Sequence, residues 1–175
     1  MPDHKWDLSR LSAGERSALK RNAGIMMNAA GADAIEGFYR ALTAKVIQYK
    51  EGAWFAALCM QCLWREEDHP QVRPFPEMLR AIYQNPDATE SSRKKCTNFL
   101  DLSWDDDGFL LGKICSLVRL MCSKNAAVIP DFEALAEDLS GWNHPDRYIQ
   151  RKWLRTICSN NQDKDEKEEE QKNVD

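Results

Sequence analysis

Apolar side chains along this chain recur at helical spacing and nowhere alternate as they would in a strand. The first helix is expected to begin at Ser12. Ser12-Ala13-Gly14-Glu15 has the form of a capping box, with Glu15 placed to reach back to the cap amide. It should run to about Ala23, with Gly24 as its stop. The pattern places further helices over 33–44, 51–64 and 76–83, and 51–64 is so uniformly apolar that it should be central. Residues 65–74 read as a loop bounded by proline chemistry. NPDATESS (85–92) supplies a linker, residues 85–91, between lobes 1–84 and 92–160. Helices are then expected over 92–102, 106–123, 130–139 and 145–159. Residues 1–160 are therefore read as one all-α domain, a bundle of about eight helices in two small lobes. Residues 161–175 are polar and highly charged and are expected to form a disordered acidic tail.

Composition agrees with a helical chain. There are 18 Ala and 16 Leu against 5 Val and 4 Thr, and β-branched residues lose more freedom in a helix than Ala or Leu. An apolar share of 43% is enough for a real core. The net charge of −4 changes meaning once it is located. Residues 163–175 carry seven acids and three lysines, leaving 21 basic and 21 acidic side chains elsewhere. The body is neutral, so an acidic total does not exclude nucleic acid, for which clustering on a face is what counts. The polar start MPDHKWDLSR is unlike an export signal, and no apolar run approaches the ~20 residues of a membrane span. A cytoplasmic chain is expected, with its six cysteines (59, 62, 96, 115, 122 and 158) reduced.

Candidate chemistry is sparse. Cys59-x-x-Cys62 has neither the second ligand pair a zinc site needs nor a βαβ context for redox work, so it reads as core packing. Asp105-Asp106-Asp107-Gly108 lacks the alternating ligands of a calcium loop and reads as a helix cap. His4 is near the start, and His69 and His144 each precede a proline. No metalloprotease, nucleophile-elbow or phosphate-loop motif occurs. The chain is read as non-catalytic, without metal or cofactor.

Basic residues carry more information. Arg147, Arg151 and Arg155 recur every four residues in RYIQRKWLR, so on a helix they line one side, opposite Ile149, Trp153 and Ile157. Like charges at this spacing repel slightly, which an anionic partner would offset. Arginine suits bidentate phosphate contacts. Arg16 and Lys20 share a face with Arg21 beside them, and Arg93-Lys94-Lys95 opens the helix expected over 92–102. Arg119 points away from the apolar stripe Phe109, Leu110, Ile114, Leu117 and Met121. A solvated surface accounts for any single cluster. Four clusters on a neutral body point to phosphate binding, through backbone rather than bases.

Several segments resemble the small subunit of the Cascade complex in type I-E CRISPR systems, the CasB family. IEGFYRAL (35–42) precedes an apolar helix; KICSLVRLM (113–121) resembles the family's Leu/Arg helix; VIPDFEALAEDLSGW (128–142) resembles the next; and RYIQRKWLR (147–155) resembles the closing basic helix. The resemblance spans about Ile35 to Ile157. Two features depart from it: Val118 stands before Arg119 where members often show paired arginines, and PFPEMLRAI (74–82) replaces a Ser/Gly-rich start.

That resemblance implies a non-enzymatic, all-helical subunit that sits as a pair in an RNA-guided complex. It would touch the backbone and large subunits and help hold target DNA after the CRISPR RNA has paired. Sequence-independent binding of the displaced strand would stabilise the R-loop. Arg119, Arg147, Arg151 and Arg155 are the leading candidate DNA contacts, with Lys152, Lys20 and Arg21 ranked below them. The alternative is a scaffold whose basic face pairs with acidic neighbours. A helix-turn-helix regulator ranks lower, because no short Gly-containing turn joins two suitably placed helices.

Overall fold

The computed structural model describes residues 4–65 and 71–160, and His69 and the acidic tail lie outside them. The described residues are dominated by eight α-helices: α1 (Ala13–Arg21), α2 (Ala32–Ala41), α3 (Glu51–Gln61), α4 (Phe75–Tyr83), α5 (Glu90–Lys95), α6 (Phe109–Lys124), α7 (Phe132–Ser140) and α8 (Tyr148–Cys158). The class is all-α as the sequence leads one to expect. Besides short 3-10 turns, the described residues add a pair of three-residue strands, β1 (Gln71–Arg73) and β2 (Val128–Pro130), which run parallel with Val72 opposite Ile129. Three residues are too few to show alternation, so neither strand is visible in the hydrophobic pattern.

The capping box forms as expected. Glu15 N donates to Ser12 Oγ at 3.2 Å and Ser12 N donates to Glu15 Oε2 at 2.8 Å. Just beyond α1, Gly24 takes φ +85°, and a Cβ there would lie 3.2 Å from Cys115 Sγ, so glycine serves both the left-handed turn and the approach to α6.

The helix expected over 92–102 is broken in two. α5 ends at Lys95, Thr97 leaves the helical region at φ −130°, and a separate 3-10 turn covers Asn98–Asp101. The break lets Phe99 and Leu100 enter the core. As a result Arg93, Lys94 and Lys95 occupy the last turn of α5, where the helix dipole favours cations, rather than the first. The three consecutive aspartates do not cap α6 as expected: its N-cap is Gly108, at a left-handed φ of 72°, without a side-chain cap bond, and Asp107 just before it accepts from Phe109 N at 3.0 Å.

α3 lies at the centre, with every residue from Ala53 to Met60 buried. It packs chiefly on α7 and also meets α1, α2 and α6, while α4 packs on α8. Elements from both sides of residues 85–91 thus share one cluster of buried side chains. A second focus is aromatic: Trp153 has ring-centroid separations of 5.1 Å from Trp142, 5.3 Å from Phe75 and 6.1 Å from Phe99. Cys59 is buried in α3 and Cys96 beside α5, and burial pushes their thiols up, Cys96 to about 11. Among the described residues no helix is long and apolar enough to cross a membrane.

Candidate nucleic-acid interface

α8 has the two sides read from its sequence. Ile149, Trp153 and Ile157 are buried, whereas Arg151, Lys152, Leu154 and Arg155 are exposed. Its register is held by Trp153, whose Nε1 donates to Asp138 Oδ2 of α7 at 2.7 Å.

The three arginines are not equivalent. Arg147 precedes the helix as its N-cap, with a left-handed φ of 50°, and is the one non-glycine with positive φ among the described residues. Its guanidinium donates to Leu100 O at 2.8 Å and to Asp101 Oδ1 at 3.0 Å, tying α8 to the 3-10 turn. The helical stripe is therefore Arg151 and Arg155. Neither side chain has an ion pair or hydrogen bond within the described residues. Lys152 is turned toward α7, where its Nζ pairs with Asp138 Oδ1 at 2.7 Å.

Arg147 and Arg151 line a groove of about 540 Å³ between α8 and the 3-10 turn, with Asn98 and Leu154 on its walls. Gln150 also lines it and is only 5% exposed. Its Nε2 donates to Trp142 O at 2.8 Å, which fixes the amide, and its Oε1 has no partner among the described residues.

Just beyond α1, the chain at Gly24 comes close to Cys115 of α6. Cys115, Arg119 and Cys122 fall on one side of α6. Burial raises the Cys115 thiol and the adjacent Arg119 partly reverses the shift; burial raises Cys122 and nearby Lys20 opposes it. Lys20 and Arg119 are both exposed, Lys20 near Cys122 and Arg119 near Cys115. Arg21 is turned elsewhere, donating to Ser17 Oγ at 2.9 Å and lying 3.6 Å from Asp33.

Two features escape the sequence reading. Arg80 of α4 reaches the end of α8, donating to Ser159 Oγ at 3.2 Å, an interaction that depends on an α4–α8 pairing no local pattern reveals. Tyr39, Ile47, Tyr49 and Tyr148 are exposed large apolar side chains, Tyr49 the most at 71%. Tyr49 and Tyr148 lie near Lys50, which pairs with Glu137 at 2.7 Å. Among the described residues no group of three or more His, Cys, Asp or Glu side chains is arranged to hold a metal.

Fold and surface together define a small helical protein with two exposed arginines on α8 that have no partner among the described residues. The family model described as CRISPR-associated protein Cse2 matches residues 15–156, and the chain belongs to that family, the small subunit of the type I-E CRISPR Cascade complex. The match starts before α1 ends, so it takes in Lys20 and Arg21, which the resemblance of single motifs does not. No curated protein and no solved structure matches the chain.

Proposed function

We propose that this Cascade subunit is a non-catalytic clamp that holds the displaced target strand through its phosphates and so stabilises the R-loop. The observation that carries this reading is the exposure of Arg151 and Arg155, without partners among the described residues, on a helix fixed by the buried Trp153. Exposed charges cannot read base sequence, and in an RNA-guided complex they need not, since pairing with the guide does so. Their contribution is electrostatic: each phosphate they neutralise releases condensed counterions. Arg119 and Lys20 extend the basic surface. Arg147 serves mainly to anchor α8 and shapes the groove beside Arg151. The immediate partners would be the backbone and large subunits, a second copy of the chain, the CRISPR RNA and target DNA.

The test uses the complex reconstituted with an R119A/R151A/R155A subunit. A clamp gives a complex of unchanged composition whose R-loops collapse faster. A scaffold whose arginines pair with acidic neighbours instead loses the subunit from the complex.

A further inference from the structure

We infer that the acidic segment 161–175 docks on the arginine side of α8 of its own chain and competes there with nucleic acid. The competition rests on the proposed DNA reading; the docking does not. The described chain ends at a fixed point. Gln84 of α4 donates through Nε2 to Ile157 O at 3.2 Å and to Ser159 O at 2.7 Å, so the last residues of α8 are pinned along α4. Arg80 is bonded to Ser159 Oγ, and Arg155 lies four residues before Ser159 on α8. The segment therefore departs between two arginines, neither of which has an acidic partner among the described residues.

Charge and reach both fit. Residues 163–175 hold seven acids, of which Asp165, Glu166, Glu168, Glu169 and Glu170 fall within six positions. Lys164, Lys167 and Lys172 leave the segment net negative. The surface offers Arg80, Arg151 and Arg155, while Lys152 and Arg147 are already matched by Asp138 and Asp101. Asp146 lines the groove beside Arg151, and Glu77 lies one turn before Arg80 on α4, but neither forms an ion pair with these arginines among the described residues. Arg151 lies only about 11 Å back from the helix end at 1.5 Å per residue. A fifteen-residue segment spans up to ~50 Å when extended. Such a tether confers an effective concentration of order millimolar. That suffices to occupy an exposed cationic surface at low salt and to yield to a polyanion of higher charge density. A nucleic-acid strand must then displace the segment before it binds, which weakens casual binding and favours strands held in place by the complex.

The experiment uses full-length protein and a variant of equal length with the seven acids changed to amides (Asp163→Asn, Asp165→Asn, Glu166→Gln, Glu168→Gln, Glu169→Gln, Glu170→Gln and Asp175→Asn). The first readout is the side-chain Nε–Hε NMR signals of Arg80, Arg151 and Arg155, without DNA. Docking displaces the wild-type signals from those of the variant at about 0.05 M salt, and the two sets merge at about 0.5 M, where screening is short-ranged. The displacement persists on tenfold dilution. The second readout is affinity for a fluorescent single-stranded oligonucleotide, expected to be about tenfold tighter for the variant at low salt and equal at high salt. Identical arginine signals in the two proteins at low salt would overturn the proposal, and so would a displacement that vanishes on dilution, since the segment would then sit on another copy. If both proteins bind the oligonucleotide equally and their arginine signals coincide, the docking is wrong and the clamp stands. If neither binds it while the signals differ, the docking stands and competition is excluded for the isolated chain.

Discussion

At the residue scale, three arginines spaced alike do different work. Arg147 is bonded to a backbone carbonyl and a carboxylate across a helix boundary, whereas Arg151 and Arg155 touch no described side chain that would hold them. Arg147→Ala is expected to destabilise the protein by about 1–2 kcal/mol, while Arg151→Ala and Arg155→Ala stay within about 0.5 kcal/mol of wild type. Urea unfolding midpoints at constant slope would check this. Asp138 is a second anchor, accepting from both Lys152 and the buried Trp153 indole. Asp138→Ala leaves that indole N–H unsatisfied and should cost about 1–3 kcal/mol in the same assay, whereas Lys152→Ala should cost far less. Spacing in the sequence showed which residues share a helix side. It could not show that the helix expected from residue 145 starts only at Tyr148, with Arg147 before it as the cap and its guanidinium bonded to Leu100 and Asp101, some 47 and 46 positions away.

At the element scale, local signals were legible where the chemistry is local. The Ser12–Glu15 box, the buried run in α3 and the apolar side of α8 all follow from neighbours a turn apart. The split between α5 and the Asn98–Asp101 turn does not, since it is driven by burying Phe99 against Trp142 and Trp153 from the far end of the chain. Strands β1 and β2 were hidden for the same reason, as each exists only by pairing with the other. The cap of α1 also sets a pH dependence. The Ser12 amide holds the Glu15 carboxyl below its ordinary 4.5, with help from the Ser12 hydroxyl and Arg40. A carboxyl depressed in the folded state contributes stability above 4.5, and that contribution is lost as pH falls from there through the folded value. Glu15→Gln should therefore be less stable than wild type at neutral pH and show a shallower loss of stability below about 4.5 in acid-unfolding curves.

At the scale of the whole molecule, the halves on either side of residues 85–91 are joined through α3 on α7, α4 on α8 and β1 beside β2. This shared core makes α8 a fixed platform, and family membership places that platform in Cascade. Charge is distributed so that the body is neutral overall yet presents arginines at α8 and on α6. The approach of α1 to α6 was only half legible, because Lys20 and Cys122, whose thiol it influences, lie 102 positions apart in sequence. If α8 holds DNA by its phosphates, the most direct measurement is the salt dependence of single-strand binding by the assembled complex, wild type against R151A/R155A. The log–log slope is expected to become shallower by ~1.4, about 0.7 for each phosphate the two arginines no longer neutralise, with subunit composition unchanged. Parallel lines of equal slope for the two complexes would contradict the account.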